Sequence, residues 1–127
     1  MLLLRYICNM QKYRTIISYK SYFEDFVSQQ RPKVIKKIFQ TLRIIEQIER
    51  IPSTYLKYIE GTDGLFEIRI MFGSDIFRIF CFFDEGKLIV LLSGFQKKTQ
   101  KTPSEEIKRA ERLKNEYFNE KNLEDQE

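Results

Sequence analysis

The sequence predicts an α+β domain, and three observations carry that prediction: helical-period segments before residue 50, a strand meander over residues 65–98, and a capped helical segment after Pro103. At 127 residues with 43% hydrophobic content, the chain suits one small domain able to bury a core. No internal repeat, low-complexity stretch or linker divides it. We read residues 10–120 as a single domain and 121–127 as an acidic flexible tail. Residues 1–9 read either as part of the domain chain or as an extension upstream of a second start at Met10.

The first structured segment is Arg14 to Tyr19, a short β-branched run expected to form an edge strand. Ser21 stands where it can cap a short helix running to about Gln30, with Phe23, Phe26 and Val27 on one stripe. Pro32 suits the first turn of a second helix, along which Val34, Ile35, Ile38, Phe39, Leu42, Ile45 and Ile48 keep the helical period, and Pro52 ends it. Tyr55 to Glu60 reads as a short strand or an extended linker, followed by a turn over Gly61, Thr62, Asp63 and Gly64. The meander comes next. After Thr102-Pro103, Ser104 is an N-cap with Glu105 and Glu106 in the first turn, and Ile107, Ala110, Leu113, Tyr117 and Phe118 line one side of the last helix.

Within the meander, alternate residues face opposite sides of a strand. Phe66, Ile68, Ile70 and Phe72 form one apolar set, Phe77, Ile79, Cys81 and Phe83 a second, and Leu88, Val90 and Leu92 a third; these are expected to meet the helices. A Gly73-Ser74 turn pairs Phe72 with Asp75 and Arg69 with Arg78, because Gly at the first loop position suits a type II′ hairpin. A Glu85-Gly86 turn sets Arg78 opposite Ser93. With these registers Glu67, Arg69, Arg78, Ser93, Phe95 and Lys97 converge on one face of an antiparallel sheet.

Two directly opposed arginines repel by roughly 0.2–1 kcal/mol, and a bound anion would reverse that sign. Glu67 is placed to hold both guanidinium groups when no anion is there. A solvated salt-bridge network on an open sheet face is the alternative reading. Beyond the strands, Lys97, Lys98 and Lys101 in QKKTQKTP, with Lys108, Arg109, Arg112 and Lys114 on the helix, give a net charge of +4 a local concentration. With Phe95 beside it, such a stretch suits a phosphate backbone and a stacked base, although charge runs also serve solubility alone.

The chain has no His, which removes the commonest neutral-pH proton shuttle and zinc ligand, so acid–base chemistry falls to Lys, Glu, Asp, Tyr or Cys. Cys8 and Cys81 have no metal-ligand spacing and no disulfide framework, which points to a reducing, cytoplasmic compartment. The run Met1 to Leu4 is too short for a signal peptide or membrane span. No metal or other cofactor is expected.

The order LFEIRI, then FRIFCFF, then GKLIVLLSGFQKKTQKTP and a helix carrying Ala110 resembles the HigB branch, the phage-derived subgroup, of RelE/ParE-type toxins of type II toxin–antitoxin pairs. The resemblance runs from about Tyr13 to Tyr117. Its most specific part is Glu67 and Arg69, Arg78 one strand later, and Phe95 with Lys97, Lys98 and Thr99. It implies a RelE-like fold, two N-terminal helices packed on an antiparallel sheet with a C-terminal helix, and a metal-independent endoribonuclease that cuts mRNA in the ribosomal A site. In that reaction a nucleotide's 2′-hydroxyl attacks its own 3′-phosphate, leaving a cyclic phosphate and a 5′-hydroxyl.

Carried onto this sequence, the resemblance makes Glu67, Arg69, Arg78 and Lys97 the catalytic set and Phe95, Lys98, Thr99 and Lys101 the RNA-binding set. Arg69 and Arg78 would stabilise the phosphate, while Lys97 and Glu67 are both candidate bases, since Arg stays protonated. Lys98, if the strand persists to it, would face away toward ribosomal RNA. Some relatives use a C-terminal tyrosine; here Tyr117 is expected to pack by its apolar side. The implied partners are the ribosome and mRNA, a cognate antitoxin with a helix-turn-helix domain, and operator DNA through the antitoxin complex, with no membrane. A ParE-like toxin poisoning DNA gyrase, or a non-catalytic module binding nucleic acid or antitoxin, are the alternatives.

Overall fold

The computed structural model describes residues 12–99 and 101–125; Cys8 and the reading of Met10 as a second start fall outside them. Strand β1 (Thr15–Ser18) leads through Lys20, at φ +53°, into helices α1 (Tyr22–Ser28) and α2 (Pro32–Gln47). Strands β2 (Leu56–Tyr58), β3 (Phe66–Phe72), β4 (Asp75–Asp84) and β5 (Leu88–Lys97) follow, and α3 (Ser104–Asp125) closes the chain. The acidic residues expected as a tail from 121 onward continue α3 as far as Asp125, and Lys121 reaches back to Asp84 at 3.0 Å.

The five strands lie in the order β1-β5-β4-β3-β2. The sheet is mixed, which corrects the expectation of a wholly antiparallel one: β1 runs parallel to β5, with Ile17 opposite Val90. After β1 the chain leaves through two helices and returns at the far edge as β2, so no hairpin dictates the direction of β1. Two long side chains tie β1 to α2. The Arg14 guanidinium donates to the carbonyls of Ile45 (3.1 Å) and Ile48 (2.6 Å), satisfying the open end of α2 with a cation. Glu46 Oε2 accepts the Ile16 N–H at 3.2 Å and so covers a donor of the edge strand.

Phe23, Phe26 and Val27 of α1 and Val34, Ile38, Leu42 and Ile45 of α2 share one buried cluster with Ile68, Ile70, Phe77, Ile79, Cys81, Ile89 and Leu91. Phe39, placed on the apolar stripe by its period, is 50% exposed and meets the core only edge-on through Phe23. A second cluster on the opposite sheet face joins Leu65, Phe80, Phe82, Val90 and Leu92 to Ala110 and Leu113 of α3. Both faces are therefore covered, but α3 covers only part of its own.

The first hairpin has the expected register, Phe72 opposite Asp75 and Arg69 opposite Arg78, with Gly73 at φ +62°. The second differs. Its loop holds three residues, since Asp84 pairs with Leu88, and both Glu85 (φ +55°) and Gly86 (φ +82°) take the left-handed conformation. That extra residue turns Ile89 and Leu91, and not Val90 and Leu92, toward α1 and α2. A bulge then restores the parity: Cys81 pairs with Leu91 and Ile79 with Gly94, so Leu92 and Ser93 together oppose Phe80. Arg78 consequently lies opposite Phe95 and not Ser93.

Candidate functional site

Cross-strand partners share a sheet face, so the register lists the side chains that meet. Lys57 pairs with Glu67, Arg69 with Arg78, Arg78 with Phe95 and Ile76 with Lys97. Lys57, Glu67, Arg69, Arg78, Phe95 and Lys97 thus emerge from four neighbouring strands on one face, beside the part of that face packed by α3. Ser93, expected among them, sits instead in the bulge.

Glu67 lies at the centre of the group and is 8% exposed. Its Oε2 accepts a hydrogen bond from Thr102 Oγ1 at 3.2 Å and stands 3.7 Å from Arg78 Nε, while Oε1 stands 3.9 Å from Arg69 Nε. One carboxylate therefore lies between two guanidinium groups and is braced by the segment leading into α3. The two ion pairs are long, and neither saturates the arginine it touches.

Arg78 is 4% exposed and donates from Nη1 to the carbonyl of Phe77 at 3.1 Å, yet its Nε has no hydrogen-bond partner among the described residues. Burial, with Arg69 nearby, pulls its pKa below the usual arginine value, against the pull of Glu67. A buried, under-satisfied guanidinium is unfavourable for the fold, unlike the solvated network that the sequence left open. Arg69 is more open, with Nη1 3.5 Å from the Ser53 carbonyl. The pKa of Lys97 is also lowered, first by burial and then by Arg78, with Glu67 opposing and Arg69 and Lys57 adding to the depression.

Arg69, Ile76, Arg78, Lys97, Lys98 and Thr99 line an open groove of about 540 Å³. Lys98 faces away from the site only if the strand persists to it; β5 ends at Lys97, the alternation ends with it, and Lys98 lines the groove. Thr99 Oγ1 donates to the Lys101 carbonyl at 2.7 Å. Lys101 itself lines a second groove of about 740 Å³ on the other side of Glu67, with Lys57 and Thr102. The Phe95 ring lies stacked on Phe80, centroids 5.5 Å apart.

Lys57 and Thr102 are the site residues that sequence reasoning missed. The signal for Lys57 was its parity with Glu67, readable only once Leu56–Tyr58 is known to be a strand paired to β3. Tyr117 stands apart from this group: its hydroxyl donates to Asp84 Oδ2 at 2.7 Å and its ring packs on Tyr19, Phe82 and Phe118.

A family model described as phage derived protein Gp49-like (DUF891) matches residues 25–115, a span from α1 to within α3 that contains every charged residue of the groove. The chain is a member of the Gp49-like family. That family belongs to the RelE/ParE-like toxin superfamily, and the chain is an α+β domain with a five-stranded mixed sheet, three helices among the described residues and one of them C-terminal. No curated protein matches this Gp49-like chain. Among its described residues no group of His, Cys, Asp and Glu has metal-site geometry, and no helix is long and apolar enough to cross a membrane.

Proposed function

We propose that this Gp49-like protein is the toxin of a type II toxin–antitoxin pair, of the HigB kind, and acts as a ribosome-dependent mRNA endoribonuclease. The observation that supports this reading is the placement of Arg69, Arg78 and Lys97, from three adjacent strands, around Glu67 on one open groove. Strand breakage by an internal 2′-hydroxyl needs a base at that hydroxyl, fixed positive charge on the phosphorane-like transition state, and a proton or cation at the 5′-oxygen that leaves.

Arg78 supplies the fixed charge. Its guanidinium is already desolvated and lies opposite Arg69 in the wall of the groove, so a phosphodiester entering there meets positive charge that the sheet already holds in place. Lys97 is the base: burial and neighbouring cations lower its pKa and so raise the share of neutral amine, which takes the 2′-hydroxyl proton. Glu67 bridges the two arginines, fixing their positions, and is itself held by Thr102. To Lys57, which pairs with Glu67 on the next strand, this reading gives the cation that stabilises the leaving 5′-oxygen. Phe95, Lys98, Thr99 and Lys101 bind the flanking RNA, with the ribosome presenting the message.

The superfamily placement also suggests the restraint: a cognate antitoxin, with a helix-turn-helix domain that carries operator binding for the complex. Induced expression followed by sequencing of RNA ends tests the reading. New ends within translated codons are expected; intact mRNA accompanied by gyrase-dependent DNA breaks would replace it with the gyrase-poisoning activity.

A further inference from the structure

Beyond the last residue that β1 pairs with, Leu91, β5 continues with an edge that no strand covers. A small pocket of about 150 Å³ opens there, between α1 on one side and α3 on the other. Its lining includes Tyr22 and Asp25 of α1, Gln29 just after it, Ser93 and Gly94 of β5, and Arg109 of α3. None of these residues belongs to the groove of Arg69, Arg78 and Lys97.

The pocket is built rather than incidental. Ser93 is 2% exposed, and its Oγ, held in the wall by the bulge, has no hydrogen-bond partner among the described residues. Gly94 next to it has no room for a side chain, because a Cβ there would lie 2.6 Å from Phe26 Cδ2; the Phe26 ring packs on the Gly94 backbone and forms part of the wall. The Arg109 guanidinium carbon lies 5.4 Å from the Tyr22 ring centroid, so cation and ring form a paired lip. Asp25 Oδ2 takes the Ser21 hydroxyl at 3.1 Å, which orients the carboxylate and leaves Oδ1 for another donor.

Aromatic and guanidinium surfaces, a carboxylate acceptor, a primary amide and a buried hydroxyl in one slot are what an unstacked base requires. A cavity of about 150 Å³ accepts one benzene-sized ring. A single-ring base matches that volume better than a purine does, and the edge of a cytosine offers an amino donor suited to Asp25 and acceptors suited to Arg109, Gln29 and Ser93. We infer that this pocket, lined by Tyr22, Asp25, Gln29, Ser93, Gly94 and Arg109, takes a single flipped-out pyrimidine, cytosine in preference to uracil, of the RNA bound along β5. The identity of the ligand rests on the RNA-cleaving function proposed above. Phe95 follows Gly94 directly on β5, and Lys97 lies two residues further, so an RNA segment held at the groove has a short path over the strand edge to this pocket.

Titration of the full-length, isotope-labelled protein with cytidine, uridine and adenosine tests it. These nucleosides carry no phosphate and so give the four cations of the groove nothing to grip. Saturable shifts of the Ser93 and Gly94 amide resonances are expected with cytidine, weaker ones with uridine and none with adenosine. Asp25→Asn should weaken cytidine binding about tenfold, and Gln29→Ala by a similar factor, with the remaining amide spectrum unchanged. Among cut messages, Asp25→Asn should redistribute cleavage away from sites with a cytosine at one fixed offset. Cytidine that leaves Ser93 and Gly94 unmoved, binds no better than adenosine, or binds Asp25→Asn as well as the native protein would overturn the proposal. The titration involves no ribosome and no cleavage. If messages are cut but cytidine is ignored, only the pocket fails; if cytidine binds but no message is cut, only the nuclease reading fails.

Discussion

Replacing Arg78 by methionine should remove activity and leave the fold more stable. The guanidinium is 4% exposed, makes one hydrogen bond, to the Phe77 carbonyl at 3.1 Å, and stands 3.7 Å from its nearest carboxylate oxygen. On the unfavourable side are its desolvation, worth several kcal/mol for a buried ion, and the opposed Arg69, worth roughly 0.2–1 kcal/mol. On the favourable side are one charge-assisted hydrogen bond of about 1.5–3 kcal/mol and a long ion pair. Methionine has similar length, needs no partner and adapts to the space beside Phe80 and Phe95. Glu67 keeps Thr102 and Arg69, so it is not stranded. The balance is a gain of about 1 kcal/mol, a rise in Tm of roughly 4 °C for a chain of this size. Loss of a fixed donor at the phosphate should lower cleavage by about 10²–10³. Thermal unfolding by circular dichroism, beside cleavage of a labelled message on programmed ribosomes, measures both. An Arg78→Met protein destabilised by more than about 2 kcal/mol with cleavage near the native level would show that Arg78 serves structure, and would refute the reasoning.

Other outcomes follow from the same geometry. Cleavage should rise with pH to a midpoint below the ordinary lysine range, as Lys97 loses its proton, and Lys97→Arg, which stays charged, should abolish the rise. The same depression makes protonated Lys97 a small cost to the fold below its folded pKa, relieved as pH climbs toward the unfolded lysine value. Gly94→Ala places a methyl 2.6 Å from Phe26 Cδ2 and 2.8 Å from Cγ, and urea unfolding should show a loss of about 1–3 kcal/mol. Burial raises the Asp84 carboxyl, but the Tyr117 hydroxyl and Lys121 overcome it and hold its pKa below the usual aspartate value, so its stabilising effect is present above that usual value and lost as acid titration passes the folded one. Tyr117→Phe should cost about 1–3 kcal/mol in urea unfolding while cleavage persists, because Tyr117 lies outside the groove.

What the sequence made readable was whatever a local rule governs. Gly73 before Ser74 fits a two-residue hairpin, and the Arg69–Arg78 opposition follows from it without any tertiary knowledge. The helical period marks Val34, Ile38, Leu42 and Ile45 as a buried face because each side chain has a fixed angular place. The second hairpin obeys no such rule: Asp84-Glu85-Gly86-Lys87 suits a loop of two residues or three, and the third residue shifts every side chain of β5 to the opposite face. The bulge that shifts them back coincides with the tight contact of Gly94 on Phe26, a packing event between distant segments. Phe95 and Lys97 thus reach the expected face through two departures that cancel, while Ser93, inside the second, does not. The parallel pairing of β1 and the place of Lys57 depend on which edges meet, and nothing in their own neighbourhoods states that.

The central claim is that the groove of Arg69, Arg78 and Lys97 breaks RNA by internal attack of a 2′-hydroxyl. Chemical analysis of the ends left on a labelled message, after incubation of the purified protein with translating ribosomes, measures that most directly. The account predicts 2′,3′-cyclic phosphate on the upstream fragments and 5′-hydroxyl on the downstream ones, both lost with Arg78→Met. Uncut message, or fragments with 5′-phosphate ends, would contradict it.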